Sequence, residues 1–237
     1  EHFIKDKFSN IDNMKLRLSY THTGYDRNAA PYQYLTSYAF NGLYAFGDNI
    51  YNTIRSNGLA NYNISWEDIH LYNIGYDLDL WQGLLGIEFD AFYRLRDNVL
   101  GTRSSSLPST VGVSMPQENL NKIDNRGFEL VIRHNNAIGD FHYSISPNIS
   151  WSRSKYVEYD EQEYTDPDED RLYRKEGKWT DIVYGYKTDG MFQSVEEIQN
   201  SEIDYDLKGN ATLKPGMVKY VDVNGDKKID WRDQVKL

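Results

Sequence analysis

Between residues 71 and 97 the chain alternates apolar and polar side chains on both sides of a short turn. The apolar positions are Tyr72, Ile74, Tyr76, Leu78 and Leu80 before the turn and Leu85, Ile87, Phe89, Ala91, Tyr93 and Leu95 after it. A period of two is typical of a strand with one apolar face, so the pattern predicts an antiparallel hairpin. Pairing Leu80 with Leu85 keeps both apolar sets on one face and leaves Gln82-Gly83 as a two-residue loop.

A second hairpin is predicted between residues 128 and 151, where the alternation recurs. The positions expected to face each other across an Ile138-Gly139 loop are Phe128, Leu130 and Ile132 on one strand and Tyr143, Ile145 and Ile149 on the other. In this register His134 lies opposite Tyr143 on the apolar face and His142 lies on the polar face, so the two histidines do not form a metal-ligand pair. Pro147 has no N–H for a sheet ladder, so we expect a bulge or an edge there.

Further alternation, at residues 14–20, adds one more strand and indicates an all-β fold. Strands are expected near 14–24, 70–80, 84–98, 125–136 and 141–156, and long loops at 25–69, 100–123 and 157–237. Tight turns then fall at one end of an antiparallel up-and-down sheet and long loops at the other, as in bacterial outer-membrane barrels. Alternation alone fits a soluble sandwich or barrel equally well, because core-facing and lipid-facing strands alternate alike.

Composition narrows the classes of function. The 237 residues are only 39% hydrophobic but include 20 Tyr and 5 Trp, so much of the apolar area is carried by rings that suit surfaces with one dry and one wet side. The net charge of −10 argues against a nucleic-acid partner, which requires a basic surface. The absence of cysteine excludes a disulfide framework and a thiol nucleophile.

Motifs for catalysis are missing from the sequence. There is no G-x-S-x-G, H-E-x-x-H or P-loop pattern. Carboxylates two residues apart, such as Asp77 and Asp79, share one strand face and recur too generally to indicate acid/base catalysis. We therefore expect no enzyme and no catalytic residue. The tyrosines and phenylalanines of the 25–69 loop are suited to stacking on a ligand or on one another, and the pattern does not choose between the two, so no substrate-binding residue is assigned.

The sharpest local motif covers residues 222–233. It matches a calcium-binding loop, and the predicted ligands are the side chains of Asp222, Asn224, Asp226, Asp230 and Asp233 with the carbonyl of Lys228. Lys227 stands where such a loop has glycine, so it must adopt the left-handed conformation. The alternative is a solvated acidic turn. Apart from this Ca²⁺ no cofactor is predicted.

Five segments carry a family resemblance when they are taken in order. They are residues 15–20 (KLRLSY) with 23–24 (TG), 64–67 (ISWE) followed by 72–77 (YNIGYD), 125–130 (NRGFEL), 184–192 (YGYKTDGMF), and 215–216 (PG) with 218–226 (VKYVDVNGD). With these segments the chain resembles the SusC/RagA-like TonB-dependent outer-membrane transporters of the Bacteroidetes over most of its length.

The resemblance implies a late part of a large barrel in the cell outer membrane, in contact with lipid, that takes up an oligosaccharide or, in some members, a peptide. It also implies a SusD-like surface lipoprotein partner and TonB acting on an N-terminal region outside this chain. We therefore interpret residues 1–237 as a partial segment of a transmembrane β-barrel with long extracellular loops. The alternative, a secreted calcium-binding carbohydrate-binding β-module, would need a closed core within this chain.

If the chain is part of a barrel, we expect two features of its structure. The sheet should be open, with about five long strands, because a transporter of this size closes with ~22. Its apolar face should meet lipid, with Trp81 at the periplasmic rim and with Tyr72 and Tyr93 toward the outer rim.

Overall fold

The structure, a computed structural model, describes residues 10–104, 110 and 112–237. The chain divides into two compact units, the first comprising Glu1–Gln162 and Lys175–Thr180 and the second comprising Glu163–Arg174 and Asp181–Leu237. Among the described residues, no helix has the length and apolar character needed to cross a membrane.

The first unit is built on a six-stranded antiparallel sheet. The strands of this unit are, in chain order, β1 Ile11–Tyr25, β2 Tyr38–Phe46, β3 Asn49–Ser56, β4 Glu67–Leu80, β5 Leu85–Thr102, β6 Gln117–Ile138, β7 Phe141–Ile145 and β8 Asn148–Glu158. The sheet has the order β1-β4-β5-β6, and both β7 and β8 pair with β6. The prediction of an open antiparallel sheet of long strands is confirmed.

The first predicted hairpin is present in the expected register. The pairs between β4 and β5 include Leu80 with Leu85, Leu78 with Ile87 and Tyr76 with Phe89. In the turn, the N–H of Leu84 donates to the carbonyl of Trp81 at 3.2 Å, and Trp81, Gln82 and Gly83 have φ values of 56°, 57° and 83°. Positive φ at the two central residues, Gln82 and Gly83, is typical of a type I′ turn, and here Trp81 before them is left-handed as well.

The second predicted hairpin is shifted in register by two residues. β6 and β7 pair Ile138 with Phe141, so the loop is Gly139-Asp140 and not Ile138-Gly139. The observed loop places Gly139, with φ of 60°, at a turn position that needs positive φ, whereas the predicted loop would put the β-branched Ile138 there. A shift by two residues leaves every side chain on its expected face.

The strand after this turn is interrupted at Ser146-Pro147, where the sequence predicts a bulge or an edge. β7 ends before this dipeptide and β8 begins after it, and both lie beside β6. Proline has no N–H to donate, although its carbonyl accepts a bond from the N–H of Ile132 at 3.0 Å. His134 pairs with Ile145 and not with Tyr143, as the shifted register requires.

Two segments predicted as loops contain strands. Within 25–69, β2 and β3 form a separate two-stranded hairpin, and a register shift between Phe40 and Leu43 explains why no sustained period is visible. β5 and β6 also extend into 100–123, where polar residues such as Asn119 and Asn121 remove the alternation that marks a one-sided strand. Residues 105–109 and 111 lie outside the described part of the chain.

The second unit replaces most of the loop predicted for 157–237. Its elements are α1 Pro167–Tyr173, β9 Tyr184–Tyr186, β10 Thr188–Met191, α2 Val195–Gln199, β11 Val218–Tyr220, a 3-10 helix Trp231–Asp233 and β12 Gln234–Lys236. β10 pairs with β11 and β9 with β12. Its buried apolar side chains are Leu172, Phe192, Ile198 and Ile229. These residues follow no period of two or 3.6, so sequence periodicity does not reveal this small core.

The short helix α2 begins directly after Ser194, which is its N-cap residue. Ser194 Oγ accepts the N–H of Glu197 at 3.1 Å, and Glu197 Oε2 accepts the N–H of Gln193 at 2.7 Å. The Gln193 N–H, together with the ammonium of Lys219, lowers the pKa of the Glu197 carboxyl below its usual value. The cap therefore fixes the start of the helix through an ionised glutamate.

Gly127 on β6 is a position where an added methyl group has no room. A Cβ there would lie against the carbonyl oxygen of Trp151 and 2.8 Å from both Phe92 Cζ and Ser152 Cβ. We expect Gly127→Ala to destabilise the full-length protein by about 1–3 kcal/mol through overpacking, measured by denaturant unfolding. The control is Gly86→Ala, because the atom nearest to an added Cβ there is Asp79 Oδ1, which is 3.1 Å away at the end of a flexible side chain. Equal stability of the two variants would contradict the prediction.

Candidate functional site

One face of the sheet, called here the polar face, carries a network of charged side chains across several strands. Arg17 on β1 donates to Asp77 on β4, with Nε–Oδ2 at 3.0 Å and Nη2–Oδ1 at 2.8 Å. The same guanidinium donates to Asp90 on β5, with Nη1–Oδ1 at 3.0 Å and Nη2–Oδ2 at 2.7 Å. Arg133 on β6 continues the network to Glu88 at 2.6 Å. The bidentate geometry of Arg17 fixes the mutual positions of three strands.

Gly75 gives Arg17 the room to reach Asp90. The glycine pairs with Arg17 on one side and with Asp90 on the other. A Cβ at this position would lie 2.6 Å from both Arg17 Cζ and Asp90 Oδ1. Glycine weakens the interior of a strand, and it marks places where another group approaches the backbone closely. Here the approaching group is the guanidinium.

The opposite face of the sheet, called here the apolar face, is uncovered. Leu16, Leu18 and Tyr20 on β1 are 60%, 70% and 56% exposed. In the part of the first unit that the structure describes, Val99 is the only buried hydrophobic residue. A soluble sheet buries its apolar face against a second layer. The closed core that a secreted β-module would need is therefore absent from these described residues.

Aromatic side chains lie near both ends of the apolar face. Tyr20, Tyr72 and Tyr93 form a row across β1, β4 and β5, with ring centroids 5.0 and 6.4 Å apart. Trp81, in the turn at the other end, is 49% exposed. From Leu80 to Tyr72 the strand rises roughly 26 Å, at about 3.3 Å per residue. This length is comparable with the ~25 Å apolar band that aromatic girdles flank in outer-membrane barrels.

The β2–β3 hairpin exposes a further set of apolar side chains. Phe40, Leu43, Phe46 and Ile50 are 76%, 70%, 72% and 68% exposed. Side chains exposed to this degree do not bury one another, so the hairpin does not pack on itself. An exposed apolar patch of this kind is typical of an interaction site.

The predicted calcium ligands lie in one loop of the second unit, where their oxygens accept backbone N–H groups. Asp222 accepts the N–H groups of Gly225 at 2.7 Å and Lys227 at 2.8 Å. Asn224 accepts the N–H of Asp226, and Asp226 accepts the N–H of Lys228, both at 2.9 Å. Asp230 accepts the N–H of Arg232 at 2.7 Å, and Asp233 accepts the N–H groups of Val223 and Asp230 at 2.9 Å each. Lys227 has a φ of 63°, as predicted. Within the described residues, no three Asp, Glu or His side chains are grouped so as to hold a metal ion.

A second acidic loop, which sequence reasoning missed, adjoins this one. The N–H of Asp204 donates to the Lys227 carbonyl at 2.9 Å, and the N–H of Ile229 donates to the Asp204 carbonyl at 3.0 Å. In this second loop Asp206 accepts the N–H of Thr212 at 2.8 Å. That bond and further backbone N–H bonds hold the pKa of the Asp206 carboxyl well below its usual range. The feature of the sequence that could have predicted this second loop is the pair Asp204 and Asp206, two residues apart.

Comparison with known proteins identifies the barrel. A family profile described as "TonB dependent receptor-like, beta-barrel" matches residues 7–220. The chain belongs to this family of TonB-dependent receptor β-barrels. Members such as SusC and RagA are outer-membrane proteins, so the sheet is part of an outer-membrane barrel. In such a barrel we expect the apolar face to meet lipid and the polar face to line the lumen.

Several relatives support this assignment along the whole chain. "TonB-dependent receptor SusC" of Bacteroides thetaiotaomicron is 28% identical over 238 residues, which are 99% of this chain and 23% of the relative. "TonB-dependent receptor P3" of Formosa agariphila is 28% identical over 255 residues, with the same two coverages. The RagAB peptide importer in its open-open state matches with a TM-score of 0.67 at 17% identity, over 99% of this chain and 24% of that one. The chain thus spans about a quarter of the length of these receptors.

The lipid-facing assignment can be tested with one arginine on each face of this receptor barrel. Tyr76→Arg on the apolar face, midway between Leu80 and Tyr72, is expected to destabilise the full-length receptor by on the order of 2–4 kcal/mol, the cost of an arginine near the bilayer midplane. Ser19→Arg on the polar face is expected to leave assembly unchanged, because the lumen is aqueous. Asp77 is unsuitable as the control, since it bonds Arg17. Heat-modifiable gel migration reports assembly, and equal assembly of both variants would contradict the assignment.

Calcium binding at 222–233 stays a prediction. Bonds to backbone N–H groups leave lone pairs on each carboxylate, which has about four. Isothermal titration of the full-length receptor with calcium chloride is expected to show binding heat that Asp222→Ala abolishes. Glu196→Ala, which removes a carboxylate from α2, should keep the heat. The acidic turn alone remains if the unmodified receptor gives no heat or if Asp222→Ala gives the same heat.

Proposed function

We propose that the full receptor imports an oligosaccharide across the outer membrane with energy supplied through TonB. The family match to a TonB-dependent receptor barrel carries this proposal. A role in uptake agrees with the expectation of no catalytic residue, because the family consists of receptors. The rings of the β2–β3 hairpin add support, since aromatic faces line many binding sites for organic ligands. A peptide is the alternative cargo, on the strength of the structural likeness to the RagAB peptide importer.

The hairpin is on the side of the sheet where a substrate would arrive. It lies between β1 and β4 in the chain, and these strands meet at Tyr25 and Glu67, the end opposite the Trp81 turn. Tight turns of outer-membrane barrels are periplasmic and long connections extracellular. The hairpin therefore belongs to an extracellular loop.

A SusD-like surface lipoprotein is the proposed partner at this end of the barrel. Lipid covers the apolar face, but it does not cover a loop that extends beyond the membrane. Phe40 and Phe46 are both more than 70% exposed in the described structure, and contiguous exposed apolar area in water indicates a protein or ligand contact. A lipoprotein seated over the extracellular mouth would cover these side chains and enclose the substrate.

Uptake by a strain that lacks the native gene tests the cargo and the hairpin together. Complementation with the full gene is expected to restore TonB-dependent uptake of a fluorescent oligosaccharide from a defined panel. A gene carrying Phe40→Ser, Phe46→Ser and Tyr51→Ser should reduce uptake at least ~10-fold without affecting assembly, because interaction sites depend on a few aromatic anchors. Tyr62→Ser, at a residue that is 75% exposed outside the hairpin, is the control.

Each outcome of this assay has one reading. Uptake of peptides alone would replace the oligosaccharide with the alternative cargo. Oligosaccharide uptake that persists without TonB would contradict the proposed energy source. Loss of uptake with retained co-purification of a lipoprotein would restrict the hairpin to substrate binding, and loss of both would support its role in partner contact.

A further inference from the structure

A small cavity lies at the base of the β2–β3 hairpin. Its lining comes from three segments, within residues 31–37 before β2, residues 57–59 after β3 and residues 114–117 leading into β6. β6 begins at Gln117, at the end of the sheet opposite the Trp81 turn. In an outer-membrane barrel the long loops at this end are extracellular, so the cavity is open to arriving substrate.

Hydrogen bonds join the three segments into one site. The N–H of Asn57 donates to the Ser37 carbonyl at 3.0 Å, and the N–H of Asn61 donates to the Gln33 carbonyl at 3.1 Å. Asn61 Nδ2 also donates to the Gln117 carbonyl at 2.7 Å. The side chains of Gln33 and Gln117 meet directly, with Nε2–Oε1 at 2.8 Å. The walls of the cavity are therefore fixed to one another by the protein itself.

Three residues of the lining, Gln33, Asn57 and Gln117, have carboxamide side chains. Each carboxamide has two N–H donors and an oxygen with two lone pairs. The bond from Asn57 to Ser37 Oγ at 3.1 Å and the bond from Gln33 to Gln117 use only part of this capacity. Gln33 Oε1 is buried and accepts no bond from a described residue, which is uncommon for a buried oxygen. These amides therefore have hydrogen-bonding capacity left for the hydroxyl groups of a ligand.

The cavity is uncharged. None of its described lining residues is charged, although charged residues make up 26% of the chain. The sequence on either side is equally neutral, since residues 28–47, 56–66 and 104–117 contain no Asp, Glu, Lys, Arg or His. A charged ligand here would lose its hydration without gaining a counter-ion. The lining therefore suits a polar ligand without charge.

An aromatic residue borders these amides. Tyr32 belongs to the lining and is 70% exposed. Its φ of 63° is uncommon for a bulky residue, and the N–H of Leu35 donates to its carbonyl at 2.9 Å. Aromatic rings beside a few polar groups are typical of ligand sites. The volume of about 280 Å³ is near the lower limit of the ~300–1,000 Å³ of ligand pockets, so the cavity holds a small part of a large substrate.

We propose, on the basis of the function proposed above, that this cavity is a subsite for one uncharged sugar ring and that the receptor selects neutral oligosaccharides over acidic ones. Hydroxyl groups of the sugar bond the carboxamides of Gln33, Asn57 and Gln117. The ring of Tyr32 packs on the apolar face of the sugar. The selection is electrostatic, because a carboxylate or sulfate on the sugar would be desolvated without a cation beside it.

Isothermal titration of the full-length receptor in detergent tests this selection with matched probes. The probes are maltohexaose, cellohexaose, laminarihexaose and mannohexaose, each with a counterpart whose primary hydroxyls are oxidised to carboxylates. At least one neutral hexaose is expected to bind at least ~10-fold more tightly than its oxidised counterpart. Gln33→Leu with Gln117→Leu should weaken that binding at least ~10-fold, and it leaves neither amide without its partner because both are replaced. Gln193→Leu with Gln199→Leu, which removes two exposed amides from the second unit, should leave it unchanged.

Three results would overturn the subsite. They are equal or tighter binding of the oxidised counterparts, failure of every neutral hexaose to bind, and unchanged binding by the Gln33 and Gln117 double variant. If that variant fails to assemble, Tyr32→Asn removes the ring and keeps the amides, and asparagine tolerates positive φ. Unchanged hexaose binding by Tyr32→Asn would also overturn it.

The uptake assay separates this subsite from the function on which it rests. Import of acidic oligosaccharides by the complemented strain would leave oligosaccharide uptake intact and overturn the subsite alone. Import of peptides alone would overturn both.

Discussion

The register of the long strands is the constraint on which the rest of this structure depends. On one face, direct pairs join apolar residues to apolar residues from strand to strand, as Leu16 pairs with Tyr76, Tyr76 with Phe89 and Phe89 with Leu130. A slip of one residue in any strand would turn its apolar set to the other face. The result is a single layer with one dry side and one wet side. No second layer covers the dry side in the described residues, so lipid is the medium that satisfies it. In lipid every backbone polar group must be paired, which a sheet achieves only as part of a closed barrel.

The polar face shows how a single layer is held together without a core. Side chains here have no opposite sheet to pack against, so their contacts run sideways across neighbouring strands. Glycine makes that possible, since Arg17 passes over Gly75, where a Cβ would lie 2.6 Å from the guanidinium carbon. Phe92 uses Gly127 in the same way. The ion pairs are partly exposed and individually weak. Each of them joins strands whose backbone ladders already fix the geometry, so forming the pair costs little additional conformational entropy.

The sequence determines some parts of this fold more visibly than others. Alternation reveals the first hairpin to the residue, because its apolar face and its Gln82-Gly83 turn agree. The second hairpin shifts by two residues because alternation is unchanged by such a shift and only the conformation of Gly139 decides it. Where strands leave the membrane their faces are both polar, and β2, β3 and the second unit lack a period altogether. The 222–233 spacing predicts the loop and the φ of Lys227, but spacing alone does not show that its side-chain oxygens accept backbone N–H groups of the same loop.

Departures from the alternation carry as much information as the alternation itself. An arginine that faces lipid costs about 2–4 kcal/mol at the midplane and about 0–1 kcal/mol near the interface. Arg126 pairs directly with Tyr93 of the tyrosine row, and Arg153 pairs with Arg126, so these residues project from the apolar face side by side. We therefore expect them and the row of Tyr20, Tyr72 and Tyr93 to mark the level at which the strands leave the hydrocarbon. Beyond that level apolar exposure can no longer be explained by lipid. The exposed rings of the β2–β3 hairpin lie beyond it along the chain, where the rest of the receptor, a substrate or a partner protein would be what covers them.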